Sequence, residues 1–531
     1  MVAGRRRRVS RQSDVLVVGA GPTGLTLALQ AHDHGADVRV VERRPDPFRQ
    51  SRAMILHPRT LETLRPLGVT EQLLDRADIA PRAELHLGRS TVTAQLAELD
   101  LPDTAFPHLT MLRQMDVEEV LAAALRSRKI EVERGTELVD ALSEPDEAGL
   151  VRGTLRTDAG LEDAACRFVA GCDGPGSTVR EVAGIAWRGG PYREEVVLAD
   201  VELDESLTPG VLHVVAGREG LVFVFALGEG ATWRVLATRR RRSGEEPQGQ
   251  PGQPGLPVPV VEVQRLLDVA GLGASVTELR WSAQVPLQHR VAQSYRSGRL
   301  FLAGDAAHSH SPAAAQGMNT GIVDAVNLGW KLAFASTGVG SGGGSDVLAS
   351  YEQERRAVAR QVLALTHLVF LAEASTSPLP ALLRGRLAPL AAPLLPLVLR
   401  QRRPMAAVVR MLSQRWVRYR HSPLSVDGTP AHRGWPRPGD RLPDADVVHR
   451  GRTVRLHALT ARPGVHILLQ RDAADLDLRR LGPHVCLHRI TSSPGLGIAA
   501  VRPDGHVGFR CGHADPAQLG SWLDLVGARR R

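Results

Sequence analysis

The segment DVLVVGAGPTGLTLALQAHDHGADVRVVERR, from Asp14 to Arg44, constrains this chain more than any other. Val15 to Val18 is a short apolar run that stops at glycine, the pattern of a parallel strand buried on both faces. Pro22 to His34 reads as a helix that Gly35 ends, and Val38 to Val41 as a second strand closing on Glu42. Gly19, Gly21 and Gly24 therefore sit where a strand turns into a helix, with an acid 18 residues beyond Gly24. Each glycine has its own physical role. Gly19 permits the tight turn, Gly21 lets a pyrophosphate approach backbone N–H groups, and Gly24 lets helix and strand pack closely. The helix start adds about half a positive charge facing the phosphates. Glu42 is placed to accept hydrogen bonds from ribose hydroxyls and to repel a 2′-phosphate. The alternative, an accidental glycine turn, explains neither the flanking strands nor the acid.

A second segment far along the chain, RLFLAGDAAHSHSPAAAQGMNTG, has a matching form. An apolar strand ends at Gly304 and Asp305, a small-residue loop follows, and a helix starts near Met318. Asp305 would lie at the carboxyl end of its strand, where open α/β sheets bind ligands. Its carboxylate suits a polyol such as a ribityl chain, and the amides of the next helix suit the O2 edge of an isoalloxazine. Asp305 as a simple helix cap is the competing interpretation. Together the two segments predict one extended FAD held at both ends.

The 531 residues allow two or three domains, and 43% apolar with 23% charged residues is ordinary for a globular protein. The net charge of +9 is carried by scattered arginines with only 4% aromatics and no zinc-finger or basic-zipper spacing, so nucleic acid is not the expected partner. Cys166, Cys172, Cys486 and Cys511 form no CxxC pair, which argues against a metal knuckle or redox dithiol and for an intracellular, cytoplasmic protein. No metal site is expected. Residues 376–400 are strongly apolar, but Arg384, Arg386, Pro389, Pro393 and Pro396 interrupt them, so buried or subunit-facing helix pieces are expected rather than a membrane span.

Local patterns divide the chain. Residues 1–12 are expected to be a disordered leader, 13–185 the first part of a cofactor domain, and 186–298 a sheet domain with a flexible insertion at 241–259. Residues 299–420 return to the cofactor domain with a helical region, and 421–531 form a small α/β module. Within the first part, 116–128 reads as a helix with Asp116 at its N-cap and Glu119 three residues on. In the sheet domain, Trp187, Phe223, Phe225 and Trp233 are candidate walls of a substrate cavity, with Phe223 and Phe225 on one strand face.

GAGPTGL with VVER, CDGPGSTVR, and FLAGDAAHSHSPAAAQGMNTGIVDAVNLGWKL resemble the three signatures of single-component FAD-dependent aromatic hydroxylases, the para-hydroxybenzoate hydroxylase fold. Within that group the chain is similar to phenol and aromatic polyketide hydroxylases. The resemblance implies an α/β fold: a glutathione-reductase-like Rossmann FAD-binding βαβ domain, an interleaved α+β substrate domain, and a C-terminal thioredoxin-like domain that ends at RPDGHVGFR. It implies FAD contacts from Gly19, Gly21, Pro22, Thr23, Gly24, Glu42, Arg43, Arg113, Gln114, Asp173, Gly174, Gly304, Asp305, Pro312, Ala315, Gly317, Met318 and Asn319. Arg52 is implied near the meeting point of flavin and reductant, and Pro312 over the flavin ring and against substrate. Asp173 and Gly174 are linked in the family to the nicotinamide cofactor as well. The family's usual glycine pair before QG is replaced here by Ala314 and Ala315, which puts flavin position and cavity width in question.

The implied activity is hydroxylation of a phenolic or polycyclic polyketide ring by O2 through a flavin C4a-hydroperoxide, with NADH or NADPH as co-substrate. Candidate proton acceptors are His289, His308 and His310. The expected partners are an aromatic small molecule and O2, without nucleic acid or membrane, and a homodimer is compatible with this. Baeyer–Villiger oxygen insertion on the same fold and a non-catalytic FAD-binding or partner-binding protein are the alternatives. A WxWxIP segment, expected of a flavin halogenase, is absent.

Overall fold

The computed structural model describes residues 8–9, 12–47, 54–87, 90–204, 206–208, 210–217, 220–229, 231–240, 255–311, 315–336, 344–373, 375, 377, 382, 402–431, 434, 436–470, 481–491 and 497–529. At its centre strands Leu300–Leu302, Gly160–Gly171, Ser13–Val18, Val38–Glu42 and Val132–Arg134 lie side by side, in that order and all parallel. Val15, Leu16, Val17, Val40 and Val41 are completely buried. Covering both faces of a sheet demands such unbroken apolar runs. Val18 lies opposite Gly171 and Val41, and Gly171 opposite Leu302. Four strands thus end level, and the residues after them share one edge.

Helices Pro22–Asp33 and Gln316–Ser336 pack against each other over this sheet. Leu25, Leu29, Ile322 and Leu328 belong to the same buried core. The contact is close because Gly329 has no side chain: a Cβ there would meet the Gln30 side chain at 2.8 Å. The first helix is held equally close to the strand ends, since a Cβ on Gly24 would meet the Gly19 carbonyl oxygen at 1.9 Å.

The second sheet has eight strands, in the order His308–Ser309, Val276–Ala292, Trp187–Leu203, Ala231–Arg240, Gly220–Glu229, Val211–Gly217, Arg82–Leu87 and Ser90–Gln95. It is not confined to residues 186–298. The hairpin of Arg82–Leu87 and Ser90–Gln95 leaves the first part of the chain to extend one edge, pairing in parallel with Val211–Gly217. His308–Ser309 closes the other edge directly after the Gly304 turn.

Several local expectations are corrected. The helix expected from Asp116 spans Gln114–Ser127 with Arg113 at its N-cap. Asp116 is in the first turn, where Arg113 grips its carboxylate through Nε at 2.7 Å and Nη2 at 3.0 Å, so it does not cap. Arg8–Val9, within the expected disordered leader, pairs in parallel with Glu162 and Asp163. Of the expected flexible insertion, 241–254 lies outside the described residues, but 255–259 is docked. Gly255 N–H donates to the Gln284 carbonyl at 2.7 Å, and Val258 is 1% exposed. Most of 376–400 also lies outside the described residues, and no described helix is long and apolar enough to cross a membrane.

Beyond residue 421 a third, seven-stranded sheet follows the order Val426–Asp427, Val507–Cys511, Ile498–Val501, Val465–Gln470, Val485–Ile490, Asp446–His449 and Arg452–Arg455. Helix Pro516–Val526, capped by the Asp515 carboxylate on Ala517 N–H at 2.9 Å, buries Leu519, Trp522 and Leu523 against it.

The sub-van-der-Waals space at Gly24 gives a direct check. Gly24→Ala is expected to destabilise the protein by about 1–3 kcal/mol through overpacking, read as a lower unfolding temperature. An unchanged transition would contradict the close strand–helix contact.

Candidate cofactor and active site

The level strand ends bring the expected anchors together. Gly19 has φ +103° and Gly304 φ +60°, both left-handed turns. A Cβ on Gly304 would lie 2.6 Å from Thr23 Oγ1, and one on Gly321 2.4 Å from the same atom. Thr23 in the first glycine turn therefore touches both the Gly304 turn and the later helix. The two halves of the expected FAD site form one continuous surface.

The residues present fit a bound dinucleotide. A Cβ on Gly21 would meet nothing within 4 Å, so the turn faces open space where a phosphate would approach. Gly21 caps the helix without any side chain, which leaves first-turn N–H groups facing that space. Asp173 follows the adjacent strand. Its Oδ2 accepts from Val179 N–H at 3.1 Å, whereas its buried Oδ1 has no partner among the described residues. Burial raises this carboxyl above its ordinary range.

Glu42 is 5% exposed. Burial would raise its pKa, but the amides of Ala20 at 2.9 Å and Arg44 at 3.0 Å, with the Arg44 guanidinium at 3.1 Å, hold it below the usual range. The carboxylate is thus ionised and fixed at the strand end. Arg44 makes this contact, and Arg43, an expected cofactor residue, is exposed. Gln114 donates to Glu118 at 2.8 Å, and burial pushes the Glu118 carboxyl up to about 7. Arg113, bound to Asp116, lines a cavity of about 560 Å³ together with Met54, Met111, Leu212 and Phe225. This cavity lies between the first sheet's helices and the second sheet.

Asp305 is half-buried on the short turn Gly304–Ala306. Asn319 is committed to the protein. Its Oδ1 accepts from His57 N–H at 2.9 Å and Thr60 Oγ1 at 2.6 Å, and its Nδ2 donates to the Ile55 and Ala315 carbonyls at 2.8 Å. It shapes the segment that Gly317 and Met318 occupy. Ala315 has φ +51°, a left-handed conformation that favours glycine. Arg52, Pro312 and Ala314 lie outside the described residues.

Strand alternation divides the proposed wall residues. Phe223 and Phe225 share a face with Val214 and Leu212. Trp233 points to the opposite face, among Val263, Leu266 and Leu267 of helix Val260–Ala270, because its neighbours in the pleat alternate. It is therefore separated from the cavity wall. Trp187 stacks on Arg180, with the guanidinium carbon 4.2 Å from the ring centre.

Arg180, inside the CDGPGSTVR stretch but not singled out from the sequence, joins the Asp173 and Gly304 turns. It donates to the Pro175 carbonyl at 2.9 Å and the Ala306 carbonyl at 3.1 Å. The histidines separate as well. His308 Nε2 is bound to Asp324 at 2.6 Å. Burial, then the neighbouring His308, bring His310 down to about 4. His289 stands 4.8 Å from the Tyr192 ring, its Nδ1 buried without a partner among the described residues. Tyr192 Oη is 3.1 Å from His367 Nδ1. Neither Tyr192 nor His367 carried a readable sequence signal, since their partners are far along the chain.

The model of the FAD binding domain family matches residues 12–366. The 6-methylpretetramide 4-monooxygenase of Streptomyces rimosus is 34% identical over 88% of this chain and 81% of its own length. A flavin-dependent monooxygenase of Mycobacteroides abscessus is 31% identical over 93% of this chain and 96% of its own. Among solved structures, the anhydrotetracycline hydroxylase OxyS from Streptomyces rimosus superposes with a TM-score of 0.76 at 28% identity, covering 98% of this chain and 100% of that one. This chain belongs to the FAD binding domain family and is an FAD-dependent aromatic monooxygenase.

The Glu42 geometry sets the affinity prediction. A hydrogen bond to a charged acceptor contributes about 1.5–3 kcal/mol, so Glu42→Gln is expected to weaken FAD binding roughly tenfold or more. Quenching of flavin fluorescence on titration into apoprotein measures this, and an unchanged dissociation constant would remove Glu42 from the site.

Proposed function

We propose that this protein hydroxylates a polycyclic aromatic polyketide or related phenol, with NADH or NADPH as reductant and O2 as oxygen donor. The cavity between Arg113 and Phe225 carries this reading, because it joins the cofactor side to an apolar sheet face. Its volume of about 560 Å³ is within the range of small-molecule sites. The relatives act on 6-methylpretetramide and anhydrotetracycline, by their names.

In this reading the Gly19–Gly24 turn and Glu42 hold the ADP part of FAD, and Asp173, Gly304 and Asp305 its middle. Arg113 and the segment Ala315 to Asn319 flank the ring end. FAD when bound supplies the redox and oxygen-activating chemistry. The chain's own task is to orient the substrate ring, keep water out and accept a phenolic proton. Phe223 and Phe225 provide the apolar face. His289, whose Nδ1 is buried, is the proposed acceptor through its other ring nitrogen, Nε2. Burial first, then His367 and Arg290, lower its pKa, so the ring is neutral and free to accept near neutral pH. The Tyr192–His367 pair beside it fixes the imidazole's surroundings.

The carboxyl-terminal unit supports a thioredoxin-like reading. Crossing the sheet, its central strands are the fourth, third, first and second in chain order, and the third in the chain runs antiparallel to the others. Without a CxxC pair the unit serves structure rather than redox chemistry.

Two outcomes test the proposal. Incubation with NADH or NADPH, ¹⁸O2 and a panel of polycyclic phenols is expected to give a product heavier by one labelled oxygen, as a ring hydroxyl. A ring-expanded lactone, or no oxygenated product from any aromatic despite bound FAD, would overturn it. His289→Asn is expected to lower kcat/KM about 100-fold. The parent protein is expected to lose rate at acid pH, and this variant to lose that dependence. That fall begins below the ordinary imidazole range because protonating His289 removes the acceptor. An unaltered pH profile would assign the base elsewhere.

A further inference from the structure

The turn at residues 502–506, between strands Ile498–Val501 and Val507–Cys511, is a polar RPDGH sequence, yet Arg502, Asp504 and His506 are each at most 3% exposed. Turns of this kind ordinarily lie in water. Here the turn is inserted into the cofactor-binding part of the chain, and every charge on it is paired. Arg502 grips Glu354 of helix Gly344–Glu373 through Nη1 at 2.6 Å and Nη2 at 2.8 Å, and it also binds Asp504. Glu354 further accepts from Lys331 at 2.8 Å, Asn327 at 2.7 Å and Ser422 at 2.6 Å. Asp504 accepts from Asn327 at 2.8 Å.

Two routes lead from this turn to the flavin side of the site. On the first, Arg355, the neighbour of Glu354, donates to Asp324 at 2.6 Å and to the Tyr419 hydroxyl at 2.8 Å. The Arg502 guanidinium lies 5.4 Å from the centre of that tyrosine's ring. The other oxygen of Asp324 accepts the Gly304 N–H at 3.1 Å and the His308 ring at 2.6 Å. On the second, Arg59 donates to the Asp504 carbonyl at 2.7 Å, and its helix Pro58–Leu64 is tied to Asn319 through His57 N–H and Thr60. The carboxyl-terminal turn thus braces both the Gly304 turn and the segment that starts at Ala315.

We propose that Arg502 is a positioning residue for FAD, holding the Gly304 turn in its binding geometry through Glu354, Arg355 and Asp324. The carboxyl-terminal unit is then a component of the cofactor site rather than an appendage. This rests on the FAD placement given above. The physical basis is that buried charges cannot relax singly. Removing Arg502 takes two charge-assisted hydrogen bonds from Glu354 and the guanidinium from Asp504 in a low-dielectric interior, which shifts the helix carrying Glu354 and Arg355, and Asp324 with it. Packed interiors transmit such shifts instead of absorbing them.

The test uses the full chain and four variants: Arg502→Met, Arg502→Lys, Asp324→Asn and the double variant Arg502→Met/Asp324→Asn. Apoprotein far-UV circular dichroism establishes folding. FAD affinity is measured by fluorescence quenching, and the flavin environment by visible circular dichroism. Arg502→Met is expected to raise the FAD dissociation constant at least tenfold and to change the visible dichroism, with partial recovery in Arg502→Lys. The double variant should lose less than the product of the two single effects, because both act through one chain of contacts. An Arg502→Met protein that folds, with affinity within twofold of the parent and the same dichroism, would overturn the proposal, as would fully independent effects in the double variant. If Arg502→Met does not fold, Arg502→Lys decides by the same affinity and dichroism criteria. Failure of the parent protein itself to bind FAD would sink the placement of the cofactor instead.

Discussion

The contact of Thr23 with Gly304 and Gly321 is the constraint on which the rest depends. The hydroxyl of Thr23 occupies space that any side chain on either glycine would need. The first helix can then form one wall with the turn after Leu300–Leu302 and helix Gln316–Ser336, both far later in the sequence. Gly24 against Gly19 and Gly329 against Gln30 extend the same close approach along the helices. A cofactor lying across the strand ends meets a surface assembled by the absence of side chains. The polar groups at that surface, Glu42, Asp173 and Asp305, come from three different strand ends.

Much of this was legible because it is local. Strands Ser13–Val18 and Val38–Glu42 and the helix between them are encoded by apolar runs and glycines a few residues apart. Strand Val465–Gln470 of the third sheet was readable for the same reason. Features that failed to show depend on distant partners. Arg113 displaces Asp116 from its expected cap by binding its carboxylate. The Arg82–Gln95 hairpin joins a sheet whose other strands follow a hundred residues later in the chain. Trp233 looked equivalent to Phe223 and Phe225, but pleat parity, fixed only once the register is known, sends it to the other face. Arg180, Tyr192 and His367 had no spacing to announce them.

The fold also carries an unusual load of buried charge. Arg355, Arg502, Glu354 and Asp324 are wholly or almost wholly inaccessible, and each is satisfied by at least two partners. Hydrophobic residues of similar size would stabilise such an interior as well or better. What paired charges add is a single permitted arrangement, since sliding one helix by a fraction of its pitch would strand an ion. That specificity lies directly behind the Gly304 turn, the place proposed for the middle of the flavin nucleotide. Apolar packing builds the wall, and the ion network fixes its register.

One observation tests the account most directly: a crystal structure of the FAD-bound protein. The expected result is a single FAD with its diphosphate over Gly21, its adenosine ribose at Glu42 and its ribityl chain beside Asp305. A flavin ring elsewhere than between the Gly304 turn and the Phe225 face, or a diphosphate away from the first glycine turn, would contradict it.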